Sequence, residues 1–113
     1  YRGKVATVTT ANTTAQYAVT SGTLIYQLEA DNTGNTSTTF VKVYDASSGV
    51  THGTQLPVLV FPVPSGTTGT FTFEPVGIEC GAGATVCAST VGGTATTAAT
   101  SPTSAVTVRL VHS

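Results

Sequence analysis

Tryptophan and methionine are absent from this chain, and charged residues fill only 8% of its 113 positions. An average soluble protein carries roughly 25%. The basic side chains Arg2, Lys4, Lys42 and Arg109 are scattered, and the net charge is −1. A nucleic-acid partner needs a clustered positive face to meet its phosphates, so that class is excluded. Leu and Glu are few, and no apolar pattern of period 3.6 lasts a dozen residues, which argues against helices. No apolar run approaches the roughly 20 residues of a membrane-spanning helix. Cysteine occurs only twice, too seldom for a zinc site on its own. The missing Trp removes the side chain that sugar-stacking platforms usually recruit.

What is abundant is threonine, about a fifth of all residues. Its β-branched side chain suits strands and resists helix, while Gly, Ser, Asn and Pro mark the turns. The reading is a single all-β domain over residues 1–113. Strands are expected at 5–9, 17–19, 23–30, 40–44, 58–63, 70–74, 78–80, 84–90 and 105–111, some of them very short. Leu24, Tyr26, Leu28 and Ala30 share one face by strict alternation. Val41 and Val43 share one face of their strand, opposite Phe40, Lys42 and Tyr44, and Val106, Val108 and Leu110 point to the core. The sequence Asp31-Asn32-Thr33-Gly34-Asn35 is a strong turn, and Pro57, Pro62 and Pro64 confine their strand to an edge or a strand end. Roughly eight short strands make an antiparallel β-sandwich of jelly-roll type. Residues 1–10 and the low-complexity stretch 91–104 are the least self-sufficient, and are expected to serve as contact arms or loops.

Candidate chemistry is sparse. His52 lies in a loop near Asp45, Ser47 and Ser48, but no Gly-x-Ser-x-Gly elbow surrounds either serine. The reading is a loop histidine that packs or caps a turn, with no catalytic residue in the chain. Glu29, Asp31, Asp45, Glu74 and Glu79 lack the spacing of a calcium loop and read as turn caps, so no metal or cofactor is expected. Asn12 and Asn35 each begin a glycosylation acceptor pattern. Cys80 and Cys87, separated by a Gly-containing loop, could be brought within disulfide reach. The alternative is two small apolar side chains in neighbouring strands. Phe40, Lys42 and Tyr44 form the outward set of their strand, open to a protein contact unless a second sheet covers them.

One ordered set of residues carries a resemblance. Phe40-Val41-Lys42-Val43-Tyr44-Asp45, Gly53-Thr54, Pro57-Val58 and Pro62-Val63-Pro64-Ser65-Gly66 follow one another, then Phe71-Thr72-Phe73 and Gly77-Ile78. This order resembles small structural proteins of tailed-phage virions, over residues 24–90. The resemblance implies a non-enzymatic β-sandwich on the capsid surface, a head decoration or cement protein that binds the major capsid protein and itself, without nucleic acid or membrane. A carbohydrate- or receptor-binding module of a tail fibre, spike or neck is the alternative, with Phe40, Tyr44, Tyr17 and Tyr26 as its aromatic candidates.

Overall fold

The computed structural model describes residues 4–52, 55–73, 76–92 and 100–113, and these form nine strands without a helix among them. They are β1 (Lys4–Ala11), β2 (Gln16–Val19), β3 (Thr23–Asp31), β4 (Thr39–Asp45), β5 (Leu59–Val63), β6 (Thr68–Thr72), β7 (Ile78–Cys80), β8 (Ala84–Ser89) and β9 (Val106–His112). Each expected strand is present, with ends moved by one or two residues.

Two antiparallel sheets face each other. The first has the order β1-β9-β3-β6, with β7 also paired to β3; the second runs β2-β8-β4-β5. β6 and β7 occupy successive stretches of one edge of β3, opposite residues 27–31 and 23–25 respectively. Counted as one interrupted strand they reduce the set to eight. The order is then that of a jelly roll, two four-stranded sheets wound as Greek keys. β5 lies at an edge, where Pro62 has no ladder donor to lose.

The core fills the space between the sheets. Val8, Leu28, Val108 and Leu110 come from the first; Val41, Val43, Val63 and Val86 come from the second. Each large aliphatic side chain buried this way contributes roughly 1.5–3 kcal/mol. Phe61 extends the core at the β5–β6 side, with its ring 4.6 Å from Phe71 and 5.6 Å from Phe73.

Strict alternation fails in β3. Ile25, Leu28 and Ala30 are fully buried, whereas Leu24 and Tyr26 are only half-buried. The cause is a register shift between Ile25 and Gln27 in the pairing with β9. An extra residue there reverses the faces of the strand on either side of it. The bulge sits opposite the break between β6 and β7. There Phe73 N–H donates to the Tyr26 carbonyl, and Gly77 N–H donates to the Phe73 carbonyl. Gly77 has φ +84° and lies 3.0 Å from the Tyr26 ring at the position a Cβ would take, so a side chain there is strained twice over.

The turn at residues 31–35 is more than a turn. Asn32 is fully buried. Its side-chain amide hydrogens are shared among the carbonyl oxygens of Ser37, Val63 and Pro64, while Oδ1 accepts from Asn35 and from Thr39. Asn35 in turn donates to the Ser104 carbonyl and accepts from Ser104 N–H. One polar hub thereby ties the β3–β4 turn to the β5–β6 turn and to the approach to β9.

Candidate functional site

The outer face of the second sheet carries the chemistry. Antiparallel register places Tyr44 opposite Thr85, Lys42 opposite Cys87 and Phe40 opposite Ser89, with Val60 and Pro62 of β5 on the other flank. Such a face is normally left to solvent or covered by another element. Here β4 and β8 are buried on both sides. Phe40, Lys42 and Tyr44 do lie on the outer face, but the expectation that they are open to a protein contact is corrected. Lys42 is 2% exposed and Tyr44 3%, and at Gly92 a Cβ would come within 2.9 Å of the Phe40 ring. Among the described residues, no second sheet does the covering. The chain's own loops do it.

The main cover is a strap formed by residues 46–52. It leaves β4 at Ala46, whose N–H donates to the Tyr44 carbonyl and whose own carbonyl accepts from Thr85 Oγ1. Close packing at this point depends on Gly83: a Cβ there would collide with the Val19 carbonyl oxygen and crowd that of Ala46. Val50 then packs on Tyr44 and Cys87, and its N–H donates to the Tyr17 hydroxyl. Gln55 braces the strap, accepting from Thr51 N–H and donating to the Gly49 carbonyl. His52 ends it.

His52 Nε2 lies 3.3 Å from Lys42 Nζ. Both residues are buried. An ammonium can only donate, so Nε2 is the acceptor and the imidazole proton belongs on Nδ1. That atom is buried without a hydrogen-bond partner among the described residues. No carboxylate among them pairs with Lys42; the ion pair they contain joins Arg109 to Glu29 on the first sheet. Burial lowers the Lys42 pKa. Burial first, and the Lys42 charge second, hold the His52 imidazole below its ordinary value. Burial pushes the Cys87 thiol up to about 11, against the pull of Lys42, and the Tyr44 phenol up to about 12. A thiol held protonated is a poor nucleophile.

The cysteines are free and lie in different clusters. Cys80, on β7, faces the core between the sheets, and Cys87 points to the strap side of β8. The sheet itself separates them, which favours the reading of two small buried side chains over that of a disulfide. His52 makes no hydrogen bond with Asp45, Ser47 or Ser48 among the described residues. Instead an Asp45 carboxylate oxygen accepts from Ala82 N–H. Asp31 caps its turn, accepting from the amide and hydroxyl of Thr33, and those bonds hold its carboxyl below the usual range. Asn12 accepts from Thr14 N–H, and Asn35 belongs to the Asn32 hub.

Three large apolar side chains are exposed beside the edge strands β5 and β6. Leu56 is 70% exposed, Val58 50% and Val76 76%. The first two precede β5, and Val76 follows β6. Because β5 and β6 are joined by the turn at 64–67, the start of one strand and the end of the other lie at the same end of the sandwich. Residues 4–10, expected as part of a contact arm, are paired along β9 as strand β1. Residues 1–3 and 93–99, the remainder of the two expected arms apart from 91–92 and 100–104, lie outside the described residues. Compared with protein-family models, with curated proteins and with solved structures, the chain matches none of them.

Proposed function

We propose that this chain is a non-enzymatic structural protein of a tailed-phage virion, a decoration protein that seats on the outer lattice of the major capsid protein and braces it. The observation that carries the reading is the exposure of the large apolar side chains Leu56, Val58 and Val76, which flank the edge strands β5 and β6. Exposed large apolar groups bordered by polar residues are characteristic of contact surfaces, and the flanking edges offer unpaired backbone donors and acceptors to a partner strand. The order of residues over 24–90 supports the phage assignment. The jelly roll is a fold used by viral capsid domains, a likeness of fold alone. A low-charge surface favours repeated packing on a shell, where many weak contacts add through avidity.

The rival sugar-binding module loses most of its aromatic platform. Tyr44 is buried, Phe40 is capped by Gly92, and Tyr26 lies against Gly77. Tyr17 is the exposed one, at 42%.

The test is co-sedimentation of the purified chain with phage heads stripped of their decoration. Binding to the heads is expected, and the double substitution Leu56→Asp/Val58→Asp should weaken it about tenfold or more, as loss of an interface anchor does. Equal binding by the variant, or density for the chain at the tail tip rather than on the head lattice, overturns the reading.

A further inference from the structure

We infer that the strap over β4 is an acid-sensitive latch: protonating His52 releases residues 46–52 from the sheet and opens the buried face that holds Lys42, Tyr44 and Cys87. This goes beyond the proposed role on a shell and does not depend on it.

The geometry supplies the reason. With Lys42 charged, the pair holds one proton-accepting contact, from Nζ to Nε2 at 3.3 Å. Adding a proton to the ring turns that acceptor into a donor. Two cations then face each other in a site from which water is excluded, where their repulsion is least screened. The second ring nitrogen, buried without a partner among the described residues, gains nothing in exchange. The surrounding titratable groups do not compensate. Among the described residues, Lys42 is the charge that acts on His52; Tyr44 of β4 and Cys87 of β8 have pKa values raised by burial and stay neutral, and the Asp45 carboxylate accepts from Ala82 N–H instead. In the open state the imidazole reaches water and takes its proton at the ordinary value.

The direction follows from linkage. The closed strap binds a proton on His52 less readily than the open one, since burial and the Lys42 charge lower its pKa. Closure is fully favoured above about pH 6.5 and is lost progressively as the pH falls below it. What holds the strap otherwise is modest: Val50 on Tyr44 and Cys87, one hydrogen bond to Tyr17, and the Ala46 contacts. A local opening of this kind does not require the core to part.

Cys87 reports the latch, and Cys80 is an internal control because it faces the core instead. Labelling with a pyridyl disulfide is followed at each cysteine by peptide mass spectrometry. Each rate is divided by that of the urea-denatured chain at the same pH. Between about pH 7.5 and about pH 5 the normalised Cys87 rate should rise about tenfold, and the Cys80 rate should stay low. His52→Gln keeps an acceptor for Lys42 but does not titrate, so its Cys87 rate should be flat with pH. Lys42→Met removes the opposing charge and should shrink the rise; it also serves if the first variant folds poorly, as judged by Cys80 protection. A flat wild-type profile, an undiminished rise in both variants, or Cys80 rising in step with Cys87 overturns the inference.

Discussion

Asn32 shows how one side chain can specify three loops at once. Its amide satisfies carbonyls that would otherwise be buried unpaired, and its oxygen gathers Asn35 and Thr39. Replacing it with Ala leaves several of those groups without partners, each a cost of roughly 1–3 kcal/mol. Asn32→Ala should therefore lower unfolding stability by about 3 kcal/mol, read as a lower urea midpoint at unchanged slope. A loss below about 1 kcal/mol would mean that water replaces the hub. The residue type at position 32 announces a turn, because Asn next to Thr-Gly-Asn is turn chemistry. Nothing in the neighbouring sequence reveals that the partners Val63 and Pro64 lie across the sandwich. Lys42 misleads in the opposite sense. A lone lysine between aromatics on an alternating strand reads as a solvent-facing residue, and it is buried by a loop whose residues are mostly small and polar.

At the scale of elements, period-two patterning locates the strands well, since burying one face and wetting the other leaves a direct trace. In β4 and β9 it also assigns the faces correctly: Val41, Val43, Val106, Val108 and Leu110 are all fully buried. β3 departs because of its bulge, and a bulge is a relation between strands, invisible within one of them. The β6–β7 break that faces it turns on Gly77. Gly77→Ala would put a Cβ into the Tyr26 ring at a φ of +84°. The expected loss is roughly 1–3 kcal/mol, with faster amide exchange confined to residues near 25–27 and 76–78. Uniformly faster exchange, or none, would separate the glycine from the bulge. The edge position of β5 was legible from its prolines. The strap was not, because Ser, Gly and Thr are equally at home in open loops.

For the molecule as a whole, the radius of gyration of 12.7 Å is close to the roughly 13 Å of a single compact domain of this length. Its stability should change with pH on the alkaline side as well as the acid side. Burial pushes the Cys80 and Cys87 thiols up to about 11 and the Tyr44 phenol up to about 12. The unfolded chain releases those protons earlier, so stability is complete below about pH 8.5 and falls as the pH rises beyond it. Lys42, with its lowered pKa, works the other way and offsets a part. Urea unfolding at about pH 8 and about pH 10.5 should show a net loss of a few kcal/mol, and Cys80→Ala should reduce the difference between the two. Equal midpoints at both pH values would contradict the burial of the thiols.

The amino-acid sequence by itself determined the class: Thr-rich alternating strands between Gly, Pro and Asn turns leave only a single-layered-pair β domain open to a chain of this length. In β4 and β9, where no bulge intervenes, it also settled which valines and leucines enter the core, because alternation is a local property. Tertiary structure alone decided that both cysteines stay free on opposite sides of a sheet, that Asn32 links three loops, and that Lys42 and His52 meet in the dark under a strap. Each of those is a meeting of residues distant in the chain or of a strand with its cover. Pairwise distance and solvent exclusion arise only when the whole fold is assembled.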